Sequence, residues 1–316
     1  MAVRVLVTGA TGFVGSQLMV RLAVQPSITV LGAVRSKSAG EHSERIAVGE
    51  INGDTDWSEG LQGQRVVVHT AARVHIMGDT ITDPLAEFRS VNVAGTLNLA
   101  RQAAAAGIQR FVFISSIKVN GEQTTFGQRY TAGDRSAPED AYGISKWEAE
   151  QGLRELAAIT GMEVVIIRPP LIYGPGAKGN FASMIKLVAN GLPLPLGAVH
   201  NKRSLVALDN LVDLIVTCIS HRGAANQTFL VADGEDLSTT QLLRGVANAM
   251  GKPSRLIPVS AGLLQFGATL LGKKAVAQRL FGSLQVDINH TRECLDWTPP
   301  LTVEQGLERC FGSHQD

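Results

Sequence analysis

Several residue types are scarce in this 316-residue chain, and each scarcity excludes a class of protein. Three cysteines, Cys218, Cys294 and Cys310, are too few and too widely spaced for a disulfide framework or a thiolate metal site, and they suit a reducing compartment. Seven histidines show no metal-binding spacing. The 29 Lys and Arg barely exceed the 28 Asp and Glu, so the chain has no basic surplus for a phosphate backbone. We therefore expect no metal and no nucleic acid partner.

Long apolar runs and a targeting segment are also missing. The N-terminus begins as a strand, without the basic and apolar segments of a signal peptide. The least polar late stretch, residues 260–282, contains Gln265 and two lysines, and it falls short of the roughly 20 apolar residues that span a bilayer. We interpret it as a buried helical lid, with a helix lying on a membrane surface as the alternative. We predict a cytoplasmic protein without membrane insertion.

Apolar runs of strand length alternate with helical patterns through the first half of the chain: RVLVTG, TVLGAV, VVVHTAA, RFVFISS and EVVIIRPP. Uniformly apolar strands between helices predict an α/β fold, with a Rossmann-like, doubly wound parallel sheet covered on both faces. Proline and glycine become frequent after residue 170. We predict a dinucleotide-binding domain of residues 1–169 and about 205–231, and a smaller, discontinuous C-terminal substrate lobe of residues 170–204 and 232–316.

The segment VLVTGATGFVGS, residues 5–16, places three glycines between the first strand and the first helix. Glycines at these positions allow a tight turn, the approach of a ligand to the backbone, and close packing of helix on strand. The alternative is a purely structural turn. The position at the start of a βαβ series predicts that the helix N-terminus binds a dinucleotide diphosphate. The residues expected to surround it are Gly9, Thr11, Gly12, Phe13, Val14 and Gly15.

The end of the second strand bears on the choice of cofactor, because an acidic residue there would bind the adenosine ribose hydroxyls. The chain has Arg35 and Lys37 in VLGAVRSKS, without a carboxylate. A guanidinium suits a 2′-phosphate, so we predict NADP(H), with NAD(H) as the alternative. Arg35 has an alternative interpretation as a solvated loop residue without a role in binding. Glu50, followed by Ile51 after the third strand, is expected to contact the adenine end of the cofactor.

Tyr142 and Lys146 stand four residues apart in YGISK, hence on one face of a helix. A free tyrosine titrates near pH 10, so exchanging protons at neutral pH requires about 4 kcal/mol of preferential anion stabilisation. A nearby lysine and a cationic nicotinamide ring are suited to supply it. Ser115 and Ser116 end a strand at the carboxyl edge of the sheet, where a hydroxyl can hydrogen-bond a substrate oxygen. Together these groups indicate general acid–base chemistry.

Seven segments, in order along most of the chain, resemble the extended short-chain dehydrogenase/reductases that modify nucleotide sugars. They are TGATGFVG (8–15), HTAA (69–72), VNVAGTLNL (91–99), SSIKVNGE (115–122), PEDAYGISK (138–146), IRPPLIYGPG (167–176) and RSLVALDNLVD (203–213). The resemblance implies Tyr142 as the acid/base, Lys146 as its partner and a ligand of the nicotinamide ribose, and Ser116 as the catalytic serine. It also implies a homodimer.

The resemblance extends to residues around both ligands. Asn92 matches a residue that supports the active-site framework, and the remaining positions implied near the cofactor are Ala71, Ala72 and Pro169. Asn180 and Arg203 fall where the family binds the diphosphate of the sugar nucleotide, and Arg279 is a looser candidate for the same role. Both arginines have an alternative interpretation as surface cations. The positions expected to contact substrate are Ser115, Ser116, Lys118, Asn180, Arg203 and Arg279.

Lys118 and Asn120 depart from the common pattern of the family, which has a small residue at the first position and an aromatic residue at the second. SSIKVNGE instead resembles a subgroup of bacterial O-antigen enzymes that includes 4-reductases of UDP-4-keto-6-deoxy-N-acetylhexosamines. We therefore predict an NADP(H)-dependent 4-ketoreductase acting on a UDP-sugar in surface-polysaccharide biosynthesis. A 4-epimerase of a UDP-hexose or UDP-N-acetylhexosamine is the alternative. A dinucleotide-sensing protein without catalysis is a more distant one.

Overall fold

The strands of this chain separate into one large and one small sheet. The computed structural model of the chain describes residues 2–36, 44–74, 83–125, 127–270, 272 and 274–312. Its strands are β1 (Val3–Thr8), β2 (Ile28–Val34), β3 (Arg45–Ala47), β4 (Val66–His69), β5 (Arg110–Ile114), β6 (Glu163–Arg168), β7 (Leu171–Tyr173), β8 (Arg203–Ala207), β9 (Thr228–Leu230) and β10 (Asp236–Leu237).

The helices alternate with the strands in the first half of the chain and cluster in the second half. They are α1 (Phe13–Ala23), α2 (Ser58–Leu61), α3 (Pro84–Phe88), α4 (Thr96–Ala105), α5 (Ala141–Thr160), α6 (Asn180–Ala189), α7 (Leu208–Ser220), α8 (Thr239–Ala249), α9 (Ala261–Leu270), α10 (Lys274–Phe281), α11 (Asn289–Leu295) and α12 (Val303–Arg309). A π-helical segment, Arg89–Gly95, joins α3 to α4, and a 3-10 turn, Ile117–Val119, follows β5.

The larger sheet is parallel throughout, in the order β3-β2-β1-β4-β5-β6-β9. Val5 and Val7 of β1 face the layer formed by α1 and α7, whereas Leu6 faces the layer formed by α4 and α5. Because both faces of the sheet are covered, successive strand residues are all apolar. The Rossmann-like, doubly wound α/β fold predicted from the sequence is confirmed.

The strand order reverses between β1 and β4, since β1 is followed by β2 and β3 on one side and the later strands lie on the other. The carboxyl ends of β1 and β4 therefore diverge into loops that leave a crevice at this edge. Ligands of open α/β sheets bind in such a crevice. The glycine-rich loop after β1 lies here, and the loops after β4 and β5 border the same edge.

The smaller sheet, in the order β10-β8-β7, lies in the second half of the chain and packs with α6, α8 and α12 around its own core. The predicted domain bounds stay a prediction, and one set of contacts bears on them. Leu295 and Trp297 belong to the core beside the larger sheet, where the Trp297 indole donates to Asp213 of α7. The segment after residue 232 therefore does not lie wholly in the smaller lobe.

Asp233 lies where the two sheets meet. Its buried carboxylate accepts hydrogen bonds from the Ala207 amide, the Asn210 side chain and the Tyr173 hydroxyl, at 2.9, 2.7 and 2.7 Å. These donors come from the end of β8, from α7 and from β7. Burial raises the pKa of Asp233, and the three donors oppose that shift because they stabilise the carboxylate.

The interpretation of residues 260–282 as a buried lid is wrong for α9, which contains no buried residue. The side chains of Leu263, Phe266 and Leu270 are 63%, 64% and 73% exposed, whereas Leu264 packs against the core of the smaller lobe. An uncharged helix needs cover on more than one side to be buried, and α9 lies against the lobe on one side only. Among the described helices, none is both long and apolar enough to cross a membrane.

Candidate active site

The glycine-rich loop after β1 is too tightly packed for side chains at two of its positions. Gly9 has a φ of +68°, and a Cβ added there would lie 2.8 Å from the Ala71 amide nitrogen. A Cβ on Gly15 would lie 2.1 Å from the Gly9 carbonyl oxygen, because α1 packs directly on the turn. Only glycine fits either position.

The N-terminus of α1 is open toward the crevice. Gly12 precedes the helix, no side chain caps it, and the first turn contains no acidic residue. Thr11 and Gly12 are exposed, while Phe13 and Val14 are partly buried. Backbone N–H groups at a helix start and the positive end of the helix dipole attract anions, so this geometry fits the diphosphate of a dinucleotide.

Arg35 and Glu50 meet at the ends of β2 and β3. Their side chains form an ion pair at 3.6 Å, and both are mostly exposed. The backbone joins the same two segments, since the Gly49 amide donates to the Arg35 carbonyl at 3.1 Å. The second strand itself ends without a carboxylate, and the segment after β3 brings Glu50 beside its Arg35. Lys37 lies outside the described residues.

Tyr142 and Lys146 occupy successive turns of α5. Asp140 caps this helix by accepting a hydrogen bond from the Gly143 amide at 2.7 Å. The buried Lys146 ammonium donates to the Ile114 carbonyl at 2.7 Å and lies 4.3 Å from the centre of the Phe113 ring. The predicted pair thus lies at the end of β5, in the crevice.

The pKa values of this pair differ from the expected pattern. Burial lowers the pKa of Lys146 to about 7, a shift that the Glu150 carboxylate opposes. Burial, with the nearby Asp140 carboxylate, raises the pKa of Tyr142 above its ordinary value. The Lys146 ammonium is bound to a backbone carbonyl and is itself destabilised by burial, and stabilisation of the Tyr142 anion by this lysine together with a nicotinamide ring stays a prediction. Tyr142 carries its proton at neutral pH.

The two serines after β5 point to different places. Ser116 is partly exposed at the start of the 3-10 turn, and its oxygen accepts a hydrogen bond from the Lys118 amide at 3.3 Å. Ser115 is 3% exposed, and its hydroxyl donates to the buried Glu150 carboxylate at 2.5 Å. That bond argues against the predicted contact of Ser115 with substrate, whereas Ser116 keeps access to the crevice.

Lys118 joins the serine loop to the tyrosine helix. Its ammonium forms an ion pair with Glu122 at 2.9 Å and a second, shorter one with Asp140. The backbones are also close, since a Cβ on Gly143 would lie 2.9 Å from the Lys118 carbonyl oxygen. These ion pairs raise the pKa of Lys118 against the effect of burial. Its described contacts are within the protein, and the predicted substrate contact stays a prediction.

Asn92, on the π-helical segment, connects the loop after β4 to the tyrosine helix. Its amide oxygen accepts from the Arg73 N–H at 2.9 Å, and its amide nitrogen donates to the Arg73 carbonyl and to Ser145 at 3.0 and 3.1 Å. Ser145 in turn donates to the Tyr142 carbonyl at 2.8 Å. Both polar atoms of the Asn92 amide are therefore used to hold the protein framework. The loop that they fix includes the partly buried residues Ala71 and Ala72, just before Arg73.

Other predicted cofactor positions also support the loops. The Pro169 carbonyl accepts from the Ile117 amide at 3.0 Å, which holds the loop after β6 against the loop after β5. Ile51 packs on Gly95, where an added Cβ would lie 2.8 Å from an Ile51 methyl group. Both contacts shape the walls of the crevice.

A buried ion pair beneath the serines was missed by the sequence reasoning. Arg168 donates to both oxygens of Glu150, at 2.9 and 2.5 Å, and also to the Asn120 side chain at 2.9 Å. Arg168 and Glu150 are 3% and 0% exposed. The sequence does contain a signal for Glu150. Tyr142, Lys146 and Glu150 are each four residues apart, which puts them on one face of the helix.

The predicted diphosphate ligands lie in the smaller lobe. Arg203 donates to the carbonyl oxygens of Arg279 and Gly282 at 3.1 and 3.2 Å, so the structure brings the two arginines together through the backbone. Burial lowers the pKa of Arg203. The Arg279 side chain is exposed, and Asn180 is exposed at the first position of α6. The described residues contain no cluster of acidic, histidine or cysteine side chains that could hold a metal.

A glycine-rich turn before an uncapped helix N-terminus, with a tyrosine and a lysine one turn apart on a helix at the same edge of a parallel sheet, is typical of nicotinamide-dependent short-chain dehydrogenase/reductases. Residues 5–232 match the NAD dependent epimerase/dehydratase family. A UDP-glucose 4-epimerase of Vibrio cholerae is 50% identical over 306 residues, which are 96% of this chain and 93% of that protein. The chain therefore belongs to the NAD dependent epimerase/dehydratase family.

Solved structures agree with this fold. The UDP-N-acetylglucosamine 4-epimerase of Bacillus cereus gives a TM-score of 0.80 at 19% identity, covering 98% of each chain. The UDP-glucuronic acid 4-epimerase of Bacillus cereus, in complex with NAD, gives a TM-score of 0.77 at 20% identity, covering 98% of this chain and 97% of that one. The prediction of an enzyme of the extended short-chain dehydrogenase/reductase type is confirmed.

Proposed function

We propose that this protein is an NAD-dependent 4-epimerase of a UDP-sugar, with UDP-glucose or a UDP-N-acetylhexosamine as substrate. The observation that carries the proposal is the 50% identity to a protein named UDP-glucose 4-epimerase, over almost the whole of both chains. The placement of Ser116, Tyr142 and Lys146 at one edge of the sheet supports it. The alternative reaction weighed from the sequence thus becomes the preferred one, ahead of the 4-ketoreductase.

The contact between Arg35 and Glu50 supports NAD as the cofactor. A carboxylate at this edge of a dinucleotide site is suited to accept hydrogen bonds from the two ribose hydroxyls, and it repels a 2′-phosphate. Glu50 stands 3.6 Å from the guanidinium that had favoured NADP(H), so the site is not purely basic. NAD, when bound, supplies the acceptor and the donor of the hydride at C4.

The residues of the chain would then divide the remaining work. Tyr142 would take the proton of the C4 hydroxyl as a phenolate and return it as a phenol, and the Ser116 hydroxyl would hydrogen-bond the same oxygen. Lys146, held by the Ile114 carbonyl, places its positive charge beside the tyrosine and the nicotinamide ribose. Arg203 has only carbonyl oxygens as described partners, and it has a desolvated charge that suits the substrate diphosphate.

The 4-ketoreductase of a UDP-4-keto-6-deoxy-N-acetylhexosamine is the second candidate, and a specific feature favours it. Asn120, which stands where an aromatic residue is usual, is 2% exposed and bound to Arg168 and to the Thr131 carbonyl. Asn120 and the ion-paired Lys118 form the wall beside Ser116, and both residues differ from those of the galactose epimerase pattern. A different wall is suited to a different sugar.

Two reactions with the purified chain distinguish these candidates. UDP-glucose and UDP-N-acetylglucosamine are each incubated with NAD, and the C4 epimers are separated by chromatography. In parallel, NADPH absorbance is followed with a UDP-4-keto-6-deoxy-N-acetylhexosamine. Interconversion of epimers without net consumption of cofactor supports the proposal, whereas NADPH oxidation with the keto sugar alone contradicts it and identifies a reductase.

Tyr142→Phe is the control for either reaction. Loss of the acid/base hydroxyl should lower turnover by about 10² to 10⁴. The phenylalanine keeps the edge contact with Phe88, whose ring centre lies 5.9 Å from that of Tyr142, so cofactor binding and melting temperature should be retained. Unchanged turnover in this variant would remove Tyr142 from the mechanism.

A further inference from the structure

The net charge of +1 hides a strong segregation of charge. Residues 170–208 and 237–286, which make up most of the smaller lobe, contain no aspartate and no glutamate. They contain ten basic residues: Lys178, Lys186, Lys202, Arg203, Arg244, Lys252, Arg255, Lys273, Lys274 and Arg279. The other 19 of the 29 basic residues share the rest of the chain with all 28 acidic ones, so these two segments are basic and the remainder of the chain is acidic.

The basic side chains that the structure describes in these two segments are not neutralised by ion pairs. Every ion pair found among the described residues lies outside them. Lys252 and Arg255 are exposed, and they donate to the carbonyl oxygens of Ala189 and Gly191 at the end of α6. Their charges face solvent at the edge of the lobe.

Large apolar side chains project from the same surface. Leu192, Ile257, Leu263, Phe266 and Leu270 are between 49% and 73% exposed. The spacing of the last three puts them on one face of α9, opposite the side on which Leu264 packs against the lobe. We call these five residues the apolar patch.

The elements that carry the patch are joined. The backbone of Leu194 pairs with Arg255 and Ile257 through hydrogen bonds of 2.8 Å, and α9 begins four residues after Ile257. Leu192 and Ile257 therefore lie on adjacent segments that continue into the exposed face of α9, with Lys252 and Arg255 beside them. Soluble monomers rarely expose contiguous apolar surface without a binding role.

We propose that the smaller lobe docks on the surface of an anionic lipid bilayer, with the apolar patch inserted among the headgroups and Lys252 and Arg255 against the anionic lipids. Interfacial helices combine an apolar face with flanking basic residues in this way. A second copy of this chain is the less suitable occupant, because Lys252 and Arg255 of two facing patches would repel each other. This inference goes beyond the proposed reaction and does not rest on it.

The test is flotation of the full-length protein with vesicles of phosphatidylcholine, with and without phosphatidylglycerol. We expect binding to the anionic vesicles at low salt to exceed binding to the neutral ones by about tenfold or more, and to fall as salt is raised. No binding to anionic vesicles at low salt would overturn the proposal. Because the readout is vesicle binding, its failure would leave the proposed epimerase activity untouched.

Two double variants separate the contributions of the patch and of the charge. Leu263→Ser/Phe266→Ser and Lys252→Glu/Arg255→Glu should each weaken anionic-vesicle binding by about tenfold or more, since they remove inserted area or attraction. All four side chains are exposed, so the fold should persist, and melting temperatures check it.

Matched controls change the same chemistry on the larger domain. Val24→Ser/Ile159→Ser alters side chains that are 69% and 82% exposed, and Arg101→Glu/Arg222→Glu makes the same change of charge. Both should bind vesicles as the original chain does. Equal losses in the control and patch variants would overturn the proposal. Sedimentation velocity tests the other occupant. A dimer of the original chain that is lost in the Leu263→Ser/Phe266→Ser variant would also overturn the proposal.

Discussion

Lys118 connects the two segments that carry the catalytic hydroxyls proposed here. Ser116 lies two residues before it, and Asp140, one of its two carboxylate partners, begins the helix that carries Tyr142. Ion pairs of partly exposed groups contribute little to stability. Their effect on geometry can be larger, because misplacement of a catalytic group by about 1 Å costs on the order of 10²-fold in rate.

Replacing Lys118 by Met should therefore lower kcat by about ten- to a hundredfold, with KM and cofactor affinity little changed. Lys118→Arg keeps the charge and should recover most of the rate. Steady-state kinetics for the three proteins provide the measurement. A rise in KM at unchanged kcat would instead make Lys118 a substrate ligand, as the sequence predicts.

His69 is a buried histidine at the end of β4 that must be neutral. Its two ring nitrogens lie 2.6 and 3.0 Å from the hydroxyl oxygens of Thr8 and Thr96, and its ring stacks on Phe113. Burial, with the nearby Lys146 charge, lowers its pKa to about 3. The unfolded chain binds a proton near pH 6.5 and the folded chain only near pH 3, so stability rises with pH between these values.

Acidification from pH 7 to pH 5 should thus cost the protein about 2 kcal/mol of unfolding free energy through His69. His69→Gln keeps a hydrogen-bonding side chain that does not titrate, and it should lack this part of the loss even if it is less stable at pH 7. Urea unfolding at both pH values gives the comparison. Equal losses in the two proteins would contradict the assignment.

At the scale of elements, the turn between β1 and α1 depends on missing side chains. Gly15→Ala would place a methyl group 2.1 Å from the Gly9 carbonyl oxygen, which forces α1 away from the strand. The N–H groups at the start of α1 would move with it.

We expect Gly15→Ala to weaken NAD binding by about a hundredfold and to destabilise the fold by about 1 to 3 kcal/mol. Gly133→Ala is the matched control, since a Cβ at that position meets no atom within 4 Å. Calorimetric titration with NAD and thermal melting measure the two effects. Wild-type affinity in the Gly15→Ala protein would remove the loop from the cofactor site.

Elements with local signals were predictable from the sequence. The parallel sheet follows from uniformly apolar strands between helices, because covering both faces leaves no polar positions. The glycine turn and the Tyr142–Lys146 pair are also local, since each needs only one turn or one helix. Family resemblance singled out Ser116 from the two serines at the end of a strand, and it added Arg203, which the chain alone would not distinguish from other arginines.

Features that depend on pairing between distant elements could not be predicted. Glu50 meets Arg35 only because β3 pairs with β2, and that register has no signal in a three-residue strand. Arg168 of β6 bonds to Glu150 of α5, and the helical spacing indicates the face of Glu150 but not its partner. The exposure of α9 was wrongly predicted because composition distinguishes apolar helices from polar ones, but does not say whether anything covers them.

For the molecule as a whole, Asp233 is the polar group shared by the two sheets. Asp233→Asn keeps the size of the side chain but replaces one acceptor oxygen with a donor, facing donors from Ala207, Asn210 and Tyr173. Hydrogen bonds to a charged group contribute about 1.5 to 3 kcal/mol each, and an unsatisfied buried donor costs a similar amount.

The Asp233→Asn variant should therefore lose about 2 to 4 kcal/mol of unfolding free energy. Urea titration followed by circular dichroism measures it. Asp54→Asn, at an exposed position, should unfold at the same urea concentration as the original protein. If the two variants behave alike, the joint between the sheets does not depend on this carboxylate.

Cys218, on α7, is completely buried in the core beside the larger sheet, and burial raises the pKa of its thiol to about 12. A thiol reagent reaches such a sulfur only when α7 separates from the sheet, since reaction needs both access and the thiolate. In a protein whose Cys294 and Cys310 are replaced by serine, the labelling rate therefore reports how often the native domain opens. NAD and substrate should slow the labelling in proportion to their binding, so one buried sulfur measures ligand affinity without any catalytic turnover.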